Sequence, residues 1–252
     1  MKVADLRAAL DIPLSALVDQ RVPKKMLVEN GAPTAADKRR INEGIEEIHW
    51  LAALKPTTIG VPEYRDEVRE YLEIAVLSVT LRPEAKAPRL AELVHRAVPY
   101  PVVLLMAKDD GLLFSLAHKR WSQGEADKTV LDGEEVSIEM DASLDAGMSC
   151  QFLEALPLAR HPRTTLYALY QSWIDTLIAL KAAQVSGVFT ITTTAEQAQA
   201  RRVALQECAV LEVQIAALRA AAVKEKQINR QVEINLELKR LQAAQAALLA
   251  KL

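Results

Sequence analysis

The sequence predicts an α+β protein: a mainly antiparallel sheet with flanking helices, followed by a long C-terminal coiled-coil helix. Three stretches carry that reading. Val102 to Ala107 and Leu112 to Ala117 are two β-prone runs around Lys108-Asp-Asp-Gly111, and Asp110-Gly111 supplies the positive backbone angle that a tight hairpin demands. Glu70 to Leu81 (EYLEIAVLSVTL) is apolar on both faces, as expected of an interior strand. The tail from Ala195 to Leu252 runs 58 residues without Gly or Pro, which at ~1.5 Å per residue is a rod of roughly 85 Å if unbroken.

From the N-terminus, Leu6, Leu10, Leu14 and Leu17 form a short amphipathic segment broken by Pro13, and the basic turn Arg21-Val-Pro-Lys-Lys25 follows. Thr34 with Asp37 marks a helix start, and Ile41, Ile45, Ile48 and Ala52 give that helix an apolar face ending before Pro56. Thr57 to Val61 reads as a short β-prone run. Leu90 to Val98 fits a helix stopped by Pro99 and Pro101, and Val136 to Met140 adds a strand after the 124–133 loop. From Thr164, the residues Leu166, Tyr170, Trp173, Leu177 and Leu180 alternate in steps of four and three. That stripe is expected to face the start of the tail as an αα-hairpin, with Trp173 against Leu211 and Ile215.

Within the tail, Thr194 and Gln197 form a T-x-x-Q capping box. Ala204, Cys208, Leu211, Ile215, Leu218 and Ala222 then recur at coiled-coil spacing, and Ile234, Leu238, Leu241, Gln245, Leu248 and Leu252 do so in a shifted register. A helix over 164–184 covers the rod only to about Ala222, so a bend near Lys224 into a second hairpin stays open. The expected domains are a globular part over 1–190 and a helical part over 191–252.

Composition excludes several classes. Half of the 252 residues are hydrophobic and a quarter charged, which is globular composition. The net charge is −2, and neither part is basic enough to announce nucleic acid. Signal peptide and membrane span are absent as patterns, so the expected location is cytoplasmic. Cys150 and Cys208 lack metal or redox spacing.

Candidate sites are few. His118, Lys119 and Arg120, with His95 and Arg96 and the turn at Arg21, Lys24 and Lys25, make an anion-binding candidate. Strand alternation sends Lys119 to the opposite face from His118 and Arg120. The same residues also read as a solvated strand end. Asp109 and Asp110 are adjacent carboxylates but belong to the hairpin turn, and neither Glu73 nor Glu135 has a lysine two residues on, so nuclease chemistry lacks its pattern. His49, His95, His118 and His161 show no ligand spacing, and no nucleophile elbow or phosphate loop occurs. No metal, cofactor or catalytic residue is expected.

The centre of the tail carries like charges four apart, Lys226 with Arg230 and Glu233 with Glu237. Two copies placed antiparallel about Gln231 or Val232 set each lysine or arginine against a glutamate of the other copy. Asn229, Val232 and Leu236 lie on adjoining seam positions, and Glu225 begins the strip. The strip predicts an antiparallel homodimer over Glu225 to Lys239; a solvated face or a docking strip for a different protein fits the same charges.

The runs EKQINRQVEINLELKRL, RVPKK, IEEIHWLAALKPTTIGVP and HRAVPYPVVLL resemble a bacterial family of about this length described only as a domain of unknown function. Its members are often encoded beside DNA methyltransferases and restriction-type helicases, so the resemblance implies an accessory role in restriction or phage defence with a methyltransferase or helicase partner. The expected function is a non-enzymatic interaction or scaffold protein. The alternatives are a nucleic-acid-binding accessory subunit and an enzyme whose site is assembled from distant residues.

Overall fold

A computed structural model describes residues 2–108, 111–125, 128–141 and 143–252; the Asp109-Asp110 turn lies outside them. The chain divides into two units, Met1–Leu177 and Ile178–Leu252. In chain order the first unit holds α1 (Val3–Ala9), β1 (Leu17–Arg21), α2 (Lys24–Asn30), α3 (Ala35–Gly44), β2 (Ile45–Leu54) and α4 (Pro56–Ile59). Then come β3 (Tyr64–Arg65), β4 (Glu70–Tyr71), β5 (Ile74–Leu81), α5 (Ala87–Ala97), β6 (Val102–Lys108) and β7 (Gly111–Ala117). It closes with β8 (Lys119–Trp121), β9 (Thr129–Leu131), β10 (Val136–Met140), α6 (Ala146–Ala155) and the first part of α7 (Leu166–Ser186).

The main sheet has six strands in the order β1-β2-β5-β6-β7-β10. Every pairing is antiparallel except β5 with β6, which α5 joins as a parallel crossover. β5 sits in the interior with only Ser78 and Thr80 less than buried, as its two apolar faces require. One face of the sheet packs Leu77, Val79, Leu104, Met106 and Leu113 against Leu27, Ile41 and the apolar side of α5. The opposite face carries Phe114, whose ring meets Phe152 of α6 edge-on at 6.0 Å. The β6–β7 hairpin forms where the sequence places it, with Lys108 level with Gly111.

Several elements differ from the sequence expectation. The run Glu70 to Leu81, expected as one strand, divides into β4, which pairs with β3 in a small separate sheet, and β5. The helix with Ile41 at its buried face stops at Gly44, and Ile45, Ile48 and Ala52 belong to β2. Helical spacing arises there on a strand because β2 bulges: its register against β5 shifts between Ile45 and Glu47 and again between Trp50 and Ala52. Each extra residue converts a two-residue step into three, so Ile45 and Ile48 both reach the core. The helix stops where α3 approaches the start of α5; a Cβ on Gly44 would lie 2.9 Å from Leu90 Cδ1. Residues 57–61, expected as β-prone, instead open with the turn α4. Pro56 takes its first position, the Thr58 hydroxyl accepts the Lys55 N–H at 2.9 Å, and Gly60 closes it at φ +66°.

The second unit comprises the end of α7, α8 (Ala195–Lys224) and α9 (Ile228–Leu249). The 58-residue tail is therefore not one rod. It breaks at Glu225 to Gln227, and α9 returns along α8. The Arg201 guanidinium reaches Leu252 O at 3.0 Å, and the Gln231 amide reaches Ala222 O at 3.4 Å. The two stripes in shifted register are the two sides of this hairpin: Ala204, Cys208 and Ile215 on α8 and Leu238 on α9 are buried. Thr194 caps α8 by accepting the Gln197 N–H at 3.2 Å. The Gln197 carbonyl accepts from Thr193 rather than from Thr194, so the box closes one residue earlier than its spacing suggests. Trp173, expected against Leu211 and Ile215, belongs to the first unit and is fully buried. Its indole N–H donates to Leu156 O at 3.1 Å, and its ring meets His161 at 5.4 Å.

Two substitutions test this packing. A Cβ on Gly31 would stand 2.5 Å from Leu93 O and 2.6 Å from Ala97 Cβ, so Gly31→Ala forces α2 off α5 and is expected to lower unfolding free energy by about 2 kcal/mol in urea titration. A neutral result would mean the two helices are less closely apposed. Thr194→Ala removes the α8 cap and is expected to cost about 1 kcal/mol; unchanged stability would place the helix start elsewhere.

Candidate functional site

The first unit uses most of the cations singled out in the sequence. Arg21 pairs with Glu47 at 3.3 Å and Lys25 with Glu29 at 3.5 Å. The Lys24 amine donates to Ile45 O and to Asn42 O, and burial, then the Arg82 charge, lowers its pKa. Arg21 and Lys24 border a recess of about 310 Å³ whose other charges are Glu46 and Glu47. The basic turn thus carries its own counter-charges.

The second group does come together in space, but inside the protein. Lys119 is 1% exposed, and its amine donates to His95 O and, at 2.8 Å, to Val98 O. These are the last carbonyls of α5, left without helical partners, and a cation there also suits the helix dipole. Burial, reinforced by the Arg96 charge, brings the Lys119 pKa down to about 7. His95 is wholly buried, and its Nε2 lies 2.8 Å from Ser115 Oγ, which donates to Glu135 at 2.8 Å. Its Nδ1 has no hydrogen-bond partner among the described residues, and burial followed by the Lys119 charge lowers its pKa to about 3. The ring is therefore neutral. Ser115 of β7 thus links His95 of α5 to the partly buried Glu135.

His118 and Arg120 point to the other side, as alternation predicts. Arg120 lies 3.8 Å from Asp132, Arg69 holds the same carboxylate at 2.6 Å, and Arg96 is paired with Glu92 at 2.7 Å. His118 enters a cluster that the sequence did not single out. Gln171 donates through its amide nitrogen to Asp175, so its oxygen faces His118 Nε2 at 2.9 Å and must accept a proton from it. Nδ1 then accepts from the Tyr71 hydroxyl at 2.5 Å. Tyr167 stacks with Tyr64 at 4.9 Å and with His118 at 5.2 Å, and Arg69 stands 5.7 Å from its ring. Four of the five tyrosines gather here, because Tyr170 adds its hydroxyl to Ala117 N and Val102 O. The one sequence sign was the three-residue step from Tyr167 to Tyr170. The cluster fixes α7 to the strand ends, and its polar atoms bond to one another.

Asp37 was read only as a helix-start residue, yet it is the buried anchor between α3 and α5. Arg89 grips both its oxygens, at 2.8 and 3.1 Å, and Thr34 and Arg40 add further bonds. The Arg89 bond and then the Thr34 bond hold its carboxyl well below the usual carboxylate range.

A cleft of about 600 Å³ lies ahead of α5 with Met106, Leu113 and Met140 in its floor, and its rim mixes Lys86 and Lys108 with Glu139 and Asp141. In the second unit a groove of about 690 Å³ runs between α8 and α9, bordered by Val203, Val210, Leu211, Ala244, Ala247 and Leu248. The strip singled out in the tail is exposed: Asn229, Arg230, Val232, Glu233, Leu236 and Glu237 stand on α9 away from α8. Glu225 and Lys226 fall in the turn instead, where the Glu225 carboxylate accepts the N–H groups of Lys226 and Gln227 at 2.8 and 2.9 Å. Among the described residues no three His, Cys, Asp or Glu are grouped to hold a metal ion, and no helix is long and apolar enough to cross a membrane.

Compared with known proteins, residues 10–244 match the family described as Domain of unknown function (DUF4391). No curated protein and no solved structure matches the chain.

Lys119 gives this site a pH signature. Its folded pKa of about 7 lies below its unfolded value, so between roughly pH 7 and 10 the unfolded chain holds the extra proton, and stability rises with pH. Relative to Lys119→Met, the wild-type protein is expected to gain roughly 2–3 kcal/mol between about pH 7 and 9. Parallel unfolding curves for the two proteins over that range would contradict a buried, easily deprotonated amine.

Proposed function

The chain belongs to that family, whose description assigns it no function, and on that premise we propose a non-enzymatic interaction protein that assembles with a second copy of itself through the helical hairpin of its second unit. The observation that supports this is the outer face of α9. Val232 is 53% and Leu236 63% exposed, whereas the stripe on the opposite side of the same helix is already engaged by α8. A hairpin of two helices covers one stripe of each, and apolar side chains grouped on the remaining face are the usual mark of a contact surface.

The contact lies further along the helix than the charge pattern alone suggests. An axis near Gln231 relies on Lys226, which stands in the turn. Copies overlapping there would share only about two helical turns, short of what a stable interface needs. The dimer therefore uses the body of α9. The wider setting assigned to this assembly is a bacterial restriction or phage-defence complex with a DNA methyltransferase or restriction-type helicase as its further partner. The family resemblance alone supports that setting.

Sedimentation equilibrium at tens of micromolar tests the reading. The wild-type chain is expected to run as a dimer, with little change between ~50 and ~200 mM salt, since an apolar seam releases few counterions. Val232→Glu with Leu236→Glu is expected to give a monomer with unchanged helical circular dichroism. A monomeric wild-type chain would overturn self-assembly.

A further inference from the structure

We infer that the two copies meet along α9 in antiparallel orientation, with the two-fold axis between Leu236 and Glu237, so that Glu233 of each copy faces Arg240 of the other. The inference rests on the self-assembly proposed above and specifies its surface. Asn229, Val232, Leu236 and Ala243 follow one another at steps of three, four and seven, so they share one face of α9. All four are exposed. Ile234, Leu238, Leu241 and Gln245 form the side turned to α8 and are less accessible. Ala243 keeps the outer face low beyond Leu236, which lets two helix axes approach to the usual ~8–10 Å.

Charge chooses the register. Along the edge of this face the order is Arg230, Glu233, Glu237, Arg240. An axis at Asn235 would set Arg230 against Arg240 and Glu233 against Glu237, each twice, and every contact would be repulsive. Moving the axis to lie between Leu236 and Glu237 sets Glu233 against Arg240 in both copies and brings Val232 level with Leu241. It also carries Asn229 to Ala244. On the other edge Lys239 comes level with Ile234 and Asn235, so no like charge meets it. A two-fold contact has to be self-complementary in this way. Residues 228–245 of α9 then overlap their counterparts, about five helical turns in place of the two available near Gln231.

Arg240 is free to make the contact. Its present ion pair is with Glu237 of its own helix at 3.7 Å, with the arginine side chain 81% exposed, and a pair so placed holds its partners weakly. Glu237 stays on the solvent side beside its own Arg240.

The test is a charge exchange between copies. Glu233→Arg and Arg240→Glu are made as separate chains, and their self-association is measured by analytical ultracentrifugation, alone and mixed. Each variant alone opposes like charges twice, so its dimer dissociation constant is expected to rise roughly tenfold or more. In a mixed dimer one chain presents arginine at both positions and the other glutamate at both. Both contacts then join opposite charges, and mixing in equal amounts is expected to give a heterodimer at near wild-type affinity. If the wild-type chain is a dimer and neither variant weakens it, this register is wrong while self-assembly stands. If both variants weaken it and mixing restores nothing, the charges act within one chain and the register is again overturned. A wild-type monomer removes both the register and the reading beneath it.

Discussion

A helical hairpin can bury one stripe of each helix and no more, and the second unit is built under that constraint. The tail has no proline or glycine to stop it, and its break is made by side-chain chemistry. Glu225 turns its carboxylate onto the N–H groups of Lys226 and Gln227, satisfying donors that a continuous helix would have bonded to carbonyls four residues back. Once the chain reverses, Cys208 and Ile215 have Leu238 and its neighbours to bury against, and Arg201 ties Thr190 to the C-terminal Leu252. Val232 and Leu236 are then left outside. Their exposure is a consequence of the turn, and the proposed self-assembly rests on that exposure.

The first unit solves a different problem, the covering of a six-stranded sheet that has one parallel step. That step needs α5, and α5 ends inside the protein where its last carbonyls cannot reach water. Lys119 answers them from the neighbouring strand, at the cost of a buried amine whose proton is held loosely. At the other end of the same helix Arg89 holds Asp37, which is itself shielded from solvent. A buried carboxylate left without its arginine would be strongly destabilising. Both ends of α5 are therefore fixed by charge, the C-terminal end by Lys119 of β8 and the N-terminal end by Asp37 of α3.

Patterns local in sequence were legible and patterns that depend on distant partners were not. The β6–β7 hairpin, the interior strand β5 and the stop of α5 before Pro99 could all be read from runs of a few residues. The two heptad stripes could be read as well, and their shifted register was the sign of the break. Ile45 and Ile48 misled because a β-bulge imitates helical spacing. Residues 57–61 misled because Thr and Ile favour strands, whereas Pro56 and Gly60 set a helical turn. The candidate anion site was legible as a set of residues but not as a surface. Nothing near Lys119 in sequence announces His95 or Val98 as its partners, and nothing near Arg21 announces Glu47. Nor does the sequence near Trp173 announce Leu156 and His161 as its partners.

The account depends most on α9 meeting α9 of a second copy near its middle. Pulsed electron paramagnetic resonance reads this directly, with a single spin label at Lys239→Cys in a chain carrying Cys150→Ser and Cys208→Ala. Antiparallel helices crossing between Leu236 and Glu237 bring the two labels within roughly 20 Å, given ~1.5 Å per residue along the helix and ~8–10 Å between axes. A short intermolecular distance at tens of micromolar is the predicted result. An echo without intermolecular modulation, or a distance well beyond that range, would contradict it.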